Sequence, residues 1–298
     1  MHPDEATTIF EANRTRLARI AYRMLGSMDE AEDIVQDAWI RWQRIDSEEI
    51  REPAALLTRI VTRLCLDTMK SARVRRETYI GNWLPEPIVE AEADLYSSDE
   101  LTLTLMLALE RLSPLERAAF LLHDVFGIAL DEVATTINRD TRAVRQLAVR
   151  ARKHVQAARP RYPVEREEGD RIARAFFTAS QSGDIKVLRT MLAENVVLHS
   201  DGGGKVQAFL KPIEGIERLL RLYSGLSRKT GVEPAILIRS TRIDGLPGFV
   251  SMERGLLQTT ALAIEDGRIT GIYMTRNPEK LNRIADTITA CDPAPPLQ

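Results

Sequence analysis

The hydrophobic period changes partway along this chain, and that change limits the fold more than any other feature. Up to about residue 159 the apolar residues recur three and four positions apart, the spacing of amphipathic helices. Beyond Gly169 two helical stretches (about 170–181 and 184–192), a glycine loop and a third helix (about 214–227) give way to period-two runs. ILIRSTRI, GFVSME, LLQTTALAI and ITGIYMTR alternate apolar and polar residues, with turn signals at GLPG and EDGR between them. One period cannot satisfy the other structure. The chain is therefore expected to be multidomain, all-α in its first half and α+β in its second.

Two breaks subdivide it. Residues 81–100, GNWLPEPIVEAEADLYSSDE, hold two prolines and six acids and read as a linker between helical domains at 1–80 and 101–159. RPRYPVEREEG forms the second break, ahead of a C-terminal domain at 169–290. With 298 residues, 44% hydrophobic and 28% charged, the composition is that of globular domains. MHPDEATTIF has no basic segment followed by an apolar stretch, and no run is long enough to span a bilayer, so a cytoplasmic protein without a membrane contact is expected. Cys65 and Cys291 fit no zinc spacing and read as reduced thiols.

The net charge of −2 conceals strong segregation. Asp29, Glu30, Glu32, Asp33 and Asp37 fall within nine residues that contain no base. Arg59, Arg63, Lys70, Arg73, Arg75 and Arg76 follow against a single acid, Asp67. From Arg139 to Arg161 eight bases oppose only Asp140. Two basic blocks in a near-neutral chain point to two polyanion contacts, with acidic surface left for another partner.

The second basic block has internal order. SPLERAAFLLHDVFG opens with Ser113 as a cap, Pro114 at the first helical position and Glu116 three residues after the serine. LDEVATTI, the turn NRD and TRAVRQLAVRARKHV follow. Val144, Leu147, Ala148, Ala151 and Val155 share one face of the last helix, while Arg142, Arg145, Gln146, Val149 and Lys153 lie opposite. A short helix, a tight turn and a helix with a basic outer face make a helix-turn-helix pattern, whose second helix enters the major groove. Thr141, Arg142, Arg145 and Gln146 come first on that helix. Arg pairs with guanine and Gln with adenine, so Arg142, Arg145 and Gln146 are the expected base readers. Arg150, Arg152 and Lys153 are expected to hold phosphates.

MDEAEDIVQDAWIRWQ buries Ala31, Ile34, Val35, Ala38 and Trp42 and turns Asp29, Glu32, Asp33 and Asp37 outward, with Ile40 among them. Acids repel phosphate, so an apolar residue within that face suits a protein contact rather than a DNA contact, the alternative being a solvated acidic helix with one stray isoleucine. The helix at 54–76 carries an apolar stripe of Leu57, Ile60, Val61, Leu64 and Cys65. Its cations, Arg59, Arg63, Lys70 and Arg73, suit a path for DNA, including an opened strand.

RIAYRMLGSMDEAEDIVQDAWIRW with the basic helix behind it resembles conserved region 2 of extracytoplasmic-function (ECF) sigma factors. ALERLSPLERAAFLLHDVFGIALDEVATTINRDTRAVRQLAVRARKHV resembles their region 4. Three short motifs narrow the resemblance to the SigJ-like subgroup with a SnoaL-like C-terminal extension. They are WLPEP (Trp83, Leu84, Pro85, Glu86, Pro87), DGGGK (Asp201, Gly202, Gly203, Gly204, Lys205) and NPEKL (Asn277, Pro278, Glu279, Lys280, Leu281). Glu279 stands where the subgroup usually has Asp. Asn138-Arg139-Asp140-Thr141 stands where the family often has Gly-Arg-Ser-Pro, which bears on promoter preference and not on fold.

The resemblance implies partners and roles. Core RNA polymerase would be gripped by Asp29, Glu32, Asp33, Asp37 and Ile40. Promoter DNA would be melted at its −10 element by the segment holding Arg59, Arg63, Lys70 and Arg73, and read at −35 by the second helix of the helix-turn-helix. No catalytic residue, cofactor or metal is implied. The fused domain would replace a separate anti-sigma factor, with WLPEP, DGGGK and NPEKL as its interdomain regulatory contacts. A competing reading is a stand-alone helix-turn-helix regulator fused to a ligand-sensing domain, but the acidic helix and the second basic helix have no use in it. The C-terminal fold also includes small-molecule enzymes, so His199, Asp201, Glu253 and Tyr273 are the polar groups to follow, and a small-molecule ligand is a further expectation. DGGGK is expected to be a tight loop between strands VVLHS and VQAFL, with more glycine than a hairpin needs and so suited to docking on the linker or on polymerase.

Overall fold

A glycine and a serine set the first corner of the molecule. In the computed structural model, which describes residues 3–45, 50–77, 79–89, 102–156, 164–228 and 234–291, helix α1 (Pro3–Leu25) ends at Gly26, whose φ of 74° stops the helix. Ser27 then caps α2 (Met28–Gln43) by accepting from the Glu30 amide. Pro53 opens α3 (Pro53–Glu77). The three helices pack mutually. Phe10 tilts against Trp39, their rings 4.9 Å apart, and the Trp42 indole donates to the Ala6 carbonyl at 3.0 Å.

After α4 (Leu103–Leu109) comes α5 (Pro114–Phe120), opened by the expected capping box. Ser113 accepts from the Glu116 amide, and the Glu116 carboxylate accepts from the Ser113 amide at 3.1 Å. The helical run continues as a single π turn, Leu121–Val125. Then come α6 (Leu130–Ile137) and α7 (Thr141–Gln156). Between them Asn138 takes the left-handed conformation, φ 54°, and Asp140 accepts from the Ala143 amide at 2.8 Å to start α7. Met1–Thr78 and Thr104–Arg159 form one unit, in which α3 packs against α5 and α6.

Tyr79–Leu103 and Pro160–Gln298 form the second unit. Helices α8 (Arg166–Ser182), α9 (Ile185–Met191) and α10 (Ile216–Ser227) pack on a six-stranded sheet. Its strands are β1 (Leu192–Asp201), β2 (Ile213–Glu214), β3 (Ile236–Ile243), β4 (Leu246–Glu253), β5 (Leu256–Glu265) and β6 (Arg268–Thr275), in the order β2-β1-β6-β5-β4-β3. Only the β1–β6 pair is parallel. The last four strands are joined by two-residue turns at Asp244-Gly245, Arg254-Gly255 and Asp266-Gly267, with positive φ at both residues of each. That geometry matches the strand twist and explains the Asp-Gly dipeptides. Phe176, Leu188, Leu198, Leu219, Phe249, Leu262 and Ile272 form the core between helices and sheet. A 3-10 turn (Pro278–Lys280) and α11 (Asn282–Cys291) end the described chain.

Three local expectations need correction. VQAFL is not a strand: β1 runs to Asp201, residues 202–212 are irregular, and the next strand is only Ile213–Glu214. The Gly202 carbonyl takes the Lys205 and Val206 amides at 3.0 and 3.3 Å, and Pro212 has no amide to give to a ladder. The GLPG turn sits one residue earlier, at Asp244-Gly245, so Leu246 and Pro247 begin β4. The helix expected from 170 starts at Arg166. Residues 157–163 of the second break and 90–101 of the linker lie outside the described residues.

Candidate nucleic-acid interface and linker clasp

On α7 the expected faces are in place. Val144, Leu147, Ala148, Ala151 and Val155 are buried, whereas Arg142, Arg145, Gln146 and Lys153 are exposed. Thr141 is half-buried and donates to Asp131 on α6 at 2.6 Å, holding the two helices of the motif in register. The cations expected on phosphates are not all equivalent. Arg150 pairs with Glu116 at 2.8 Å and Arg152 with Asp124 at 2.6 Å, so each already has a carboxylate that phosphate would have to displace. Burial would raise the Glu116 pKa, but the hydrogen bonds from Arg150 and Ser113 outweigh it and hold the carboxyl below its ordinary value.

On α2 the outward residues Asp29, Glu32, Asp33 and Asp37 are exposed, and Ile40 among them is 39% exposed, large for an isoleucine. On α3, Leu57, Val61, Leu64 and Cys65 are buried, Ile60 only partly, and burial pushes the Cys65 thiol far up, leaving it inert. Arg59 is half-buried and Lys70 exposed beside Asp67. Arg63 donates to the Thr136 and Thr135 carbonyls at 3.2 and 3.4 Å, occupying the C-terminal end of α6. The Arg73 side chain lies outside the described residues.

Sequence reasoning missed Arg117. Its guanidinium is fully buried, donates to the Met24 and Leu109 carbonyls at 2.7 and 2.9 Å, and pairs with Glu110 at 2.6 Å. An Arg in an amphipathic run reads as surface, and nothing local distinguishes this one.

In the second unit the three short motifs meet at one atom group. Asp201, at the end of β1 and 0% exposed, accepts four hydrogen bonds. Its Oδ1 takes the Tyr79 hydroxyl at 2.6 Å and the Gly203 amide at 3.0 Å. Its Oδ2 takes the Leu84 amide at 2.9 Å and Lys280 Nζ at 2.7 Å. Lys280 also donates to the Leu84 carbonyl at 2.5 Å and stands 4.5 Å from the Trp83 ring centre and 5.0 Å from that of Tyr79. Burial and the Asp201 bond both push the Tyr79 hydroxyl up, so it stays a donor. Asn277 donates to the Tyr79 oxygen at 3.0 Å, and Lys205 pairs with Glu279.

Two glycines allow this approach. A Cβ on Gly203, φ 61°, would lie 2.4 Å from the Asn277 side-chain nitrogen, and one on Gly204, φ 72°, 2.9 Å from Ile80. Gly202 is buried behind them, Pro278 exposed, and Leu281 buried. Downstream, Leu84, Pro85, Glu86, Pro87, Ile88 and Val89 are all buried, with Arg283 lying 3.7 Å from Glu86. Asn82 donates to the Phe209 carbonyl at 3.0 Å.

The linker then reaches the β3–β4 turn. Val89 bridges Ile243, the Asp244 amide donates to the Ile88 carbonyl at 2.9 Å, and the Leu103 amide donates to the Asp244 carbonyl at 3.0 Å. Both ends of the stretch 90–102 are thus tied to one turn. Tyr79, Asn82 and Asp244 were not singled out from sequence. Proximity to WLPEP was the signal for the first two, and an Asp-Gly turn for the third.

The four polar groups followed for enzymatic chemistry do not gather. Asp201 is in the clasp, His199 and Tyr273 stack with centroids 5.4 Å apart, and Glu253 pairs with Arg276 at 3.1 Å.

Two helical regions with a helix-turn-helix define a promoter-recognition protein, and the comparisons agree. Residues 9–75 match Sigma-70 region 2, and residues 102–155 match Sigma-70, region 4. The chain belongs to the ECF RNA polymerase sigma factor family. It is 34% identical over 286 residues to the ECF RNA polymerase sigma factor SigJ of Mycobacterium tuberculosis H37Rv, covering 91% of each chain. It is 32% identical to the probable ECF RNA polymerase sigma factor SigI of M. tuberculosis CDC 1551, over 94% of this chain and 96% of that one. The crystal structure of the M. tuberculosis SigJ superposes with a TM-score of 0.74 at 31% identity, over 93% of this chain and 98% of the other. The protein is a sigma factor, which directs transcription initiation, and core RNA polymerase and promoter DNA are its implied partners. The sigma-factor reading fits these findings better than the stand-alone regulator does. No described helix is long and apolar enough to cross a membrane.

Proposed function

We propose that this sigma factor is regulated in cis by its C-terminal unit, which holds the linker between regions 2 and 4. The observation that carries the reading is Asp201, which gathers donors from all three motifs and from Tyr79 on one buried carboxylate. A linker free along residues 90–102 would reach about 45 Å when extended. Tied at Val89 and Leu103 to adjacent residues of one turn, its ends lie on the order of 10 Å apart, about two strand spacings. Holding the linker therefore limits the separation of −10 and −35 recognition. Because the clasp is intramolecular, weak contacts suffice to populate it, and a separate anti-sigma factor is not needed.

In this reading Asp29, Glu32, Asp33, Asp37 and Ile40 grip core polymerase, and Arg59, Arg63, Lys70 and Arg73 act at −10. Thr141, Arg142, Arg145 and Gln146 read −35, with Arg150 and Lys153 on phosphates. The chain works in the cytoplasm and catalyses nothing itself, polymerase supplying the chemistry. Run-off transcription tests the regulation on one promoter with the full chain, a chain cut before Asn277 and one ending at Pro160. The cut before Asn277 removes Lys280 and should change activity severalfold. Three identical activities would refute regulation by the C-terminal unit.

A further inference from the structure

Among the described residues of the helical unit, two large hydrophobic side chains stand exposed, Ile40 at 39% and Val149 at 55%. Ile40 lies on the acidic face of α2. Val149 lies on the basic face of α7. Its neighbours one turn away are Arg145 and Gln146 before it and Lys153 after it, all exposed, and Arg142 continues the stripe a further turn back. The helix does not ask for valine at this position, since a β-branched residue is a weaker helix former than alanine. Nor does packing, because α7 buries the opposite face, through Val144, Leu147, Ala148, Ala151 and Val155.

We infer that Val149 selects thymine at one position of the −35 element through the 5-methyl group of that base. The inference rests on α7 as the −35 reader proposed above and adds one base contact to it. Charge fixes the occupant of this face. A stripe with Arg142, Arg145 and Lys153 and no acid among them meets a polyanion. Arg150 and Arg152, which flank the stripe, are turned back on Glu116 and Asp124 at 2.8 and 2.6 Å.

The chemistry of valine then fixes the base. In the major groove every base pair presents hydrogen-bond donors and acceptors, and thymine alone adds a methyl group. A valine laid against a purine N7, a carbonyl oxygen or an exocyclic amine strips water from a polar atom and returns no hydrogen bond. Laid against the thymine methyl, it removes apolar surface from water on both partners. The side chain therefore discriminates thymine from cytosine, which lacks the methyl, and from both purines. Its reach can be stated too. Val149 stands four residues beyond Arg145, about 6 Å along the helix axis. Base pairs stack about 3.4 Å apart, so the thymine should lie within about two base pairs of the guanine read by Arg145.

The test uses the full chain assembled with core polymerase, and duplexes whose −35 element has been enriched from a randomised library by that assembly. Each −35 thymine, on either strand, is replaced in turn by deoxyuridine, which removes the methyl and keeps every hydrogen-bonding group. At one thymine, within about two base pairs of the guanine that Arg145→Ala ceases to read, the replacement should weaken binding about three- to fourfold, the effect of one buried methyl. Val149→Ala should bind the thymine duplex more weakly by a similar factor and no longer distinguish it from the deoxyuridine duplex. Alanine strengthens the helix, so thermal unfolding of the helical unit should not move down, and the lost affinity reports the contact. The assignment is overturned if methyl removal has no effect at any position, or an equal effect in the wild type and Val149→Ala. A sensitive thymine farther from that guanine, or an enriched element without thymine, overturns it as well. The reading beneath it fails separately: equal losses for Arg145→Ala on every −35 variant would mean that α7 reads no bases. If Arg145 discriminates while Val149→Ala keeps the methyl response, only the valine assignment falls.

Discussion

Replacing Asp201 by Asn removes one charge and changes little volume, which makes it a sharp probe of the clasp. Both carboxylate oxygens accept two donors each, at 2.6 and 3.0 Å on one and 2.7 and 2.9 Å on the other. An amide presents one oxygen and one NH2 group. Whichever way it turns, the NH2 faces two donors, either Tyr79 and Gly203 or Leu84 and Lys280. Lys280, 14% exposed, loses the carboxylate it pairs with and keeps the Leu84 carbonyl and two ring faces. Breaking one side of a buried pair costs about 3–5 kcal/mol. For a unit of 150–250 residues each kcal/mol moves Tm by about 2–4 °C, so Asp201→Asn should lower the transition of the C-terminal unit by roughly 6–20 °C. The assay is differential scanning calorimetry of the full chain, with amide exchange of residues 79–89 as the local readout. Lys280→Met in the Asp201→Asn background should recover part of the loss, since the two changes share one contact. A shift under about 2 °C, with exchange unchanged, would mean that the buried carboxylate does not hold the linker.

Arg145→Ala should cost about 1–3 kcal/mol at one −35 position in a binding assay across promoter variants, while Lys153→Ala weakens all variants alike and lowers the salt slope by about one. Equal losses on every variant for both would refute the division of roles. Asp33→Lys with Asp37→Lys should cut capture of core polymerase in a pull-down with the circular-dichroism spectrum unchanged, and undiminished capture would leave that face merely solvated. Arg117→Met should destabilise the helical unit by about 3–5 kcal/mol in urea, because Glu110 and two carbonyls lose their partner. A loss under about 1 kcal/mol would show that the buried guanidinium is dispensable.

Period and capping were readable because they are local. The buried faces of α2 and α7, the Ser113–Glu116 box and the Asp266-Gly267 turn each depend on residues within four positions. VQAFL misled for the same reason: its composition suits a strand, but the glycine turn before it and Pro212 after it leave no partner to pair with. Arg117 and Arg63 were illegible as structural residues, since their acceptors at Met24, Thr135 and Thr136 lie far away in sequence. The candidate site lay between these extremes. WLPEP, DGGGK and NPEKL were visible as motifs, but Asp201 as their common acceptor required distances. Tyr79 and Asn82, which complete the clasp, sit just outside the motif that advertises it.

The clasp works as a regulator only if its free energy falls within reach of what binding can supply. Moving an equilibrium from 99:1 held to 1:99 released takes about 5.5 kcal/mol of differential binding. The Asp201 site, at about 3–5 kcal/mol by truncation, is a large share of that but does not exceed it. The remaining linker contacts add modest amounts: the bonds at Asn82, Ile88 and Leu103 are each worth about 1 kcal/mol net. Together these come to about 6–8 kcal/mol, more than one such shift, so polymerase and promoter binding would both have to contribute to open the clasp. A clasp built from the apolar burial of Leu84, Ile88 and Val89 alone would tolerate drift along the chain, because apolar contact has no direction. The buried carboxylate does not, since its four donors must arrive together. That requirement makes release an all-or-none event, as a switch between two spans of the linker needs.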